Sequence, residues 1–169
     1  MLQRLSRLLR HRLLDEADTR KAIPADLVAR LTQRVAASER RHTGEIRVCV
    51  EASLPTSYLL RDATARQRAV TMFGKLRVWD TEQNNGVLVY LLLAERAIEI
   101  VADRGLARRV DPGEWQRIVQ RMGAAFREGR YEDGLTQALE EVSALLVAHF
   151  PAEQGSVRPN ELPDEPVLG

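Results

Sequence analysis

The chain has a single cysteine, Cys49, among 169 residues. An internal disulfide is therefore excluded, and the composition suits a reducing compartment. Charge of either sign is not in excess: 25 basic and 24 acidic residues leave a net charge of +1, so no global field argues for nucleic acid as a partner. No apolar run approaches the roughly 20 residues of a membrane-spanning helix. Residues 1–14 are not read as a secretory signal, because Arg4, Arg7, Arg10 and Arg12 interrupt any apolar core. There is no internal repeat and no second core, and the length fits one domain with a sizeable interior.

What is present is best seen from Asn84-Asn85-Gly86, a turn tripeptide that opens the apolar run Val87 to Leu93. A run without polar alternation reads as a strand buried on both faces, at the centre of an α/β sheet. Glu45 to Glu51 reads as an earlier strand, and 97–102 alternates as a third, with one face less buried. Ala94-Glu95-Arg96 is short enough for a hairpin, so the second and third strands are expected to be antiparallel. The first should reach the second by a helical crossover. That crossover is expected as one helix from Thr56 or Ser57 to about Phe73, with Leu59, Ala63, Val70 and Phe73 on its buried side. Residues 24–41 read as a helix with Leu27, Leu31 and Val35 inward. Asp111-Pro112-Gly113-Glu114 reads as a helix start with a capping box. Its stripe of Trp115, Ile118, Val119, Met122 and Phe126, and the later stripe of Leu135, Leu139, Val142, Leu145 and Leu146, are core.

The ends differ from the middle. Residues 1–22 form a basic amphipathic arm in which Leu2, Leu5, Leu9 and Leu13 recur at helical spacing and the first fourteen residues hold no acid. The readings that apply to it are a helix docked on the domain or a frayed arm, and a helix on an anionic membrane surface. The body spans 23–150. From Pro151 four prolines and an excess of acids mark 151–169 as an extended or disordered tail.

Several short pieces, in order and spacing, resemble the TPM domain family, which includes thylakoid-lumen photosystem II repair proteins and many bacterial proteins. They are Thr43-Gly44-Glu45-Ile46, Asn85-Gly86-Val87-Leu88, Ala102-Asp103-Arg104-Gly105-Leu106, Phe126-Arg127-Glu128-Gly129 with Gly134-Leu135, and His149-Phe150-Pro151 with Asn160-Glu161-Leu162-Pro163-Asp164. The last pair is similar to the end of a short soluble bacterial branch, which implies a cytoplasmic protein, membrane-peripheral at most. The resemblance implies an α/β fold, a three-layer α/β/α sandwich around a small mixed sheet, here with an added N-terminal helix. It also implies divalent-cation binding at the strand ends and a phosphatase activity known for some members.

Hard cations want several oxygen ligands. Asp80, Glu82, Asn84, Asn85 and Asp103 are the candidates for weak Ca²⁺ or Mg²⁺ binding, provided their two loops share one edge of the sheet. The turn before the central strand carries two acids and three neutral amides and does not follow the calcium-loop pattern. The plain alternative is a solvated turn. Zinc is not expected, since His11, His42 and His149 lie far apart and Cys49 has no partner at ligand spacing.

For phosphatase chemistry the usual nucleophile signatures are missing. Cys49 has Pro55, not arginine, six residues on, and there is no Asp-x-Asp pair, phosphate loop or Gly-x-Ser-x-Gly elbow. The remaining route is a cation-activated water near Asp80 and Asp103, with Arg104 on the phosphate. Against it stands a binding or regulatory module for a membrane-associated protein partner, linked to envelope or membrane-protein upkeep. Trp79 and Glu45 are its candidate contacts beside the turn, against the plain alternatives of a core position for Trp79 and a solvated strand end for Glu45, and Arg4, Arg7 and Arg10 are its candidate contacts to anionic lipid.

Overall fold

A computed structural model of the chain describes residues 2–169. Helices α1 (Leu2–Leu13), α2 (Glu16–Ala22) and α3 (Ala25–Glu39) precede strand β1 (Glu45–Glu51). Helices α4 (Thr56–Leu60) and α5 (Ala65–Lys75) lead to β2 (Gly86–Leu92), and a 3-10 turn leads to β3 (Ala97–Ala102). Helices α6 (Arg104–Ala107), α7 (Pro112–Arg127) and α8 (Tyr131–His149) follow, and β4 (Val167–Leu168) ends the chain order.

The sheet runs β3-β2-β1-β4. Strands β1 and β2 are parallel, from Glu45 beside Gly86 to Glu51 beside Leu92, and β3 returns antiparallel to β2. Both central strands are buried at every residue, as an unbroken apolar run requires. Their alternation sorts the side chains into two cores. Ile46, Val48, Val50, Val87, Val89 and Leu91 pack with α3, α7 and α8. Cys49, Leu88, Tyr90 and Leu92 pack with α4 and α5 on the other side. The result is the three-layer α/β/α sandwich around a mixed sheet.

The crossover differs from the single helix expected over 56–73. It breaks at Asp62, whose φ of 58° no helix interior accommodates, and the Ala63 N–H turns back to the Tyr58 carbonyl at 2.8 Å. Thr64 then caps α5 through a reciprocal box with Gln67. Restarting the helix shifts its phase. Val70, expected inward, is 51% exposed, while Arg68, Ala69 and Met72 are buried. Arg68 is held there by a bidentate pair with Glu51 (2.5 and 2.8 Å), whose carboxylate also accepts the Tyr90 hydroxyl at 2.7 Å. At the start of α7, Asp111 caps as expected, but Glu114 pairs with Arg117 at 2.7 Å instead of closing a box.

The tail runs extended and then adds a strand that sequence reading does not foresee. Leu162 is buried against the α5 side, and Arg47 donates to the Pro163 carbonyl. Val167 and Leu168 pair in parallel with Cys49 and Val50.

Candidate functional site

The starts of β1 and β2 and the end of β3 lie at one edge of the sheet, and the loops there interlock through backbone bonds. The Asp103 N–H donates to the Gly86 carbonyl at 2.9 Å, and the Gly105 N–H donates to the Asn84 carbonyl at 2.8 Å. A side chain at 105 would collide with that carbonyl, so the close approach requires glycine. Asn84 takes the left-handed conformation (φ 51°), which aims the turn into β2. The adjacent Asn85 is fully buried. Its amide nitrogen donates to Thr43 Oγ1 at 3.0 Å, and the Thr43 hydroxyl donates to Gln83 Oε1 at 2.8 Å.

Two oxygens at this edge are buried without a donor: Asn85 Oδ1 and Asp103 Oδ2. The other Asp103 oxygen caps α6, accepting the Arg104 N–H at 2.7 Å. Buried acceptors in native proteins nearly always find a donor, so these two oxygens on adjoining loops are open to a water or a ligand. Both atoms are hard oxygen donors, one from a carboxylate and one from an amide.

The other candidates disperse. Asp80 is exposed and paired with Arg77 at 2.5 Å. Glu82 is exposed, and its backbone N–H is taken by Glu161 of the tail at 2.8 Å. Arg104 is exposed. Glu45 is buried rather than solvated: it accepts the Leu162 N–H at 3.1 Å, and burial raises its carboxyl above the usual range. Among the described residues, no three His, Cys, Asp or Glu side chains gather closely enough to hold a metal ion. Trp79 stands at the mouth of the loop, half exposed, its indole N–H donating to the Gly74 carbonyl at 3.3 Å. Cys49 is a sealed core thiol, pushed up to about 12 by burial and so held protonated and unreactive.

Two features were not foreseen. The first is an open polar cleft of about 380 Å³ at the same edge, with Thr43, Gln83, Arg109, His149 and Arg158 in its lining. Arg109 is fixed there by the His149 carbonyl at 2.7 Å and by stacking over Phe150 at 4.2 Å. Arg158 donates to the His42 carbonyl. The second is a buried chain behind the cleft. His42 Nδ1 lies 3.1 Å from the Gly44 carbonyl, which can only accept, so Nδ1 carries the proton and Nε2 takes the Ser38 hydroxyl at 2.7 Å. Ser38 Oγ is in turn 2.8 Å from Ser143 Oγ, to which Arg41 donates at 2.7 Å. Burial lowers His42 to about 4, so the ring stays neutral and holds residues 42–44, and with them Thr43, against Asn85. The four-residue spacing between Ser38, in the last turn of α3, and His42, just beyond the helix, is the only sequence signal for this chain.

A three-layer α/β/α domain with interlocked polar loops at the strand starts is the class of protein these elements define. The chain belongs to the TPM domain family: the sequence model of that family matches residues 17–145. Among solved structures it is similar to the BA42 protein of the psychrophilic bacterium Bizionia argentinensis, at 24% identity and a TM-score of 0.75, over 87% of this chain and 95% of that one. The N-terminal domain of a protein from P. gingivalis is also similar, at 24% identity and a TM-score of 0.57, over 72% and 76% of the two chains. At these identities the likeness shows the fold. No functionally curated protein matches. No helix among the described residues is long and apolar enough to cross a membrane.

Proposed function

We propose that this chain is a binding or regulatory module whose working face is the edge at the starts of β1 and β2, where it takes up a divalent cation, Ca²⁺ or Mg²⁺, weakly. The observation that carries the reading is the pair of buried, unpartnered oxygens, Asn85 Oδ1 and Asp103 Oδ2. An all-oxygen donor set suits a hard ion, and a single carboxylate keeps the affinity low. Such an ion supplies positive charge at the same end of the sheet as the polar cleft, beside Thr43 and Gln83 of its lining, a docking point for an acidic group of a protein partner. Exposed Trp79 beside the same loop suits an aromatic contact to that partner. The family resemblance points the partner toward envelope or membrane-protein upkeep, and the lone buried cysteine suits a cytoplasmic setting.

Calorimetric titration of metal-free protein with Ca²⁺ and Mg²⁺ tests this. Binding should vanish in Asp103→Asn and persist in Asp80→Asn, whose carboxylate is already engaged with Arg77 at the surface. Absence of binding at millimolar ion, or equal loss in both variants, would count against the assignment.

A metal-assisted phosphatase acting on phosphomonoesters is the second reading. The guanidinium groups of Arg109 and Arg158 at the cleft favour it, since phosphate recognition needs such charge. Cation-dependent hydrolysis of p-nitrophenyl phosphate, lost in Asp103→Asn, would support it. No turnover by a protein that binds the ion leaves the binding module.

A further inference from the structure

Helix α1 is docked the wrong way round for an ordinary amphipathic helix. Its polar face meets the domain. Arg7 Nε lies 2.7 Å from Glu95, and Arg7 also reaches Asp62 at 3.0 Å. Arg4 pairs with Asp62 at 3.0 Å. His11 is buried, with Nε2 3.1 Å from Glu95 and Nδ1 accepting the Leu54 N–H at 3.0 Å. The leucines of the opposite face point outward: Leu5, Leu9 and Leu13 are 56%, 53% and 78% exposed. At spacings of four they form one stripe along a helix roughly 18 Å long. Exposed Arg10 and Arg12 flank the stripe on its two sides. The acids that α1 meets, Asp62 and Glu95, are already engaged by Arg4, Arg7 and His11.

We propose that this outward face of α1 is a docking surface for an anionic membrane, with Leu5, Leu9 and Leu13 entering the interface and Arg10 and Arg12 reaching the headgroups. Three physical points select that occupant. Apolar side chains flanked by cations are what an interfacial helix presents, with long cationic side chains extending to the phosphate level. A second copy is a poor alternative: three leucines offer each partner only a few hundred Å² at most, whereas a specific interface buries roughly 1,000 Å² or more in total. Pairing two such helices would also bring arginines together with no acid in residues 1–14 to offset them. Finally, ion pairs rather than leucines hold α1 on the domain, so membrane entry removes no packed contact. Leu60, 77% exposed, lines a hollow beside Arg4 and Leu8 and extends the apolar surface at the helix flank.

The test is co-sedimentation of the full chain with phosphatidylcholine vesicles, with and without phosphatidylserine. Binding is expected only to the anionic vesicles and should fall as salt rises. Replacing Leu5, Leu9 and Leu13 together by serine should weaken it roughly tenfold or more. Arg10→Gln and Arg12→Gln should weaken it roughly fivefold each. All five side chains are exposed, so the thermal melt should not move; the single change Leu9→Ser is the check if the triple variant folds poorly. No phosphatidylserine-dependent binding would overturn the proposal, as would binding indifferent to the leucines. A leucine-dependent dimer in sedimentation velocity without vesicle binding would also overturn it and assign the face to a second copy. The site lies away from the strand starts, so this result and the cation titration stand or fall separately.

Discussion

The substitution Asp103→Asn should separate stability from binding. In the metal-free protein Asp103 Oδ2 is buried without a donor, a state that costs about 1–3 kcal/mol. Asparagine keeps the cap on Arg104, because it is as good an N-cap as aspartate. It also replaces the orphaned carboxylate oxygen with an amide donor beside the loop that holds a second orphan, Asn85 Oδ1. The variant should therefore be more stable than the wild type in chelator, by about 1 kcal/mol, which is roughly 2–4 °C for a chain of this size. With cation the order reverses. Ligand at ten times its Kd stabilises the binding protein by about 1.4 kcal/mol, and the variant should gain nothing. Thermal melts in chelator and in rising Ca²⁺ or Mg²⁺ would thus cross near that concentration. Two results would refute the reasoning: a variant less stable than wild type in chelator by more than about 1 kcal/mol, or one stabilised by cation as much as the wild type.

Three further outcomes follow from the packing. Glu51→Ala should cost about 3–5 kcal/mol in urea unfolding, because it strands the buried Arg68 guanidinium. Replacing Glu51 by Leu, Arg68 by Met and Tyr90 by Phe together should recover most of that, and a single-variant loss under about 1 kcal/mol would contradict the account. His42 is lowered to about 4 from an ordinary 6.5, so the unfolded chain binds the proton first as pH falls. Its contribution is present above about pH 6.5 and lost toward pH 4, about 3 kcal/mol in all. Glu39 works oppositely: burial raises it to about 9, so its contribution is present below about pH 4.5 and lost as pH rises toward 9. The stability difference between wild type and His42→Leu should therefore shrink on acidification, while that between wild type and Glu39→Gln should not. Gly86→Ala should cost at least about 3 kcal/mol, since a methyl there meets the Val78 carbonyl; a chevron or urea midpoint near wild type would show that the loop can yield.

The strands were legible because burial on both faces leaves a continuous apolar record, and β1, β2 and β3 fall within a residue of where that record places them. The long helices α7 and α8 were legible through their stripes. The break at Asp62 was not, because Leu59, Ala63, Val70 and Phe73 satisfy a helical period that the chain does not follow. Periodicity cannot see a left-handed residue that resets the phase. Strand β4 was hidden for a different reason: two residues after four prolines carry no alternation, and only the unpaired edge of β1 gives them a place. At the site, Asn85 and Asp103 were legible as candidates. Their real distinction, an unpartnered oxygen each, depends on Thr43 from one segment and Arg104 and Gly105 from another, and no spacing rule encodes it. The inverted docking of α1 was equally silent. Its sequence is an ordinary amphipathic pattern, and only Asp62 and Glu95, far along the chain, decide which face is turned inward.

The two proposed sites lie at opposite ends of the central strands. Residues Leu54 and Glu95, which hold α1, follow the ends of β1 and β2, while Asn85 and Asp103 sit at their starts. Seven residues of strand separate the ends by roughly 20 Å. A chain lying on a membrane through α1 therefore turns its polar cleft toward the aqueous side, where an ion and a protein partner can reach it. Nothing between the two ends offers a second arrangement: every residue of β1 and β2 is buried and packed on both faces. Coupling between sites requires an element with two states that both ligands bias. The sheet supplies none, so anionic vesicles should leave the cation affinity unchanged and saturating cation should leave vesicle binding unchanged. A shift in either affinity beyond the plain screening effect of the salt would mean that α1 or the strand-start loops move as one with the sheet.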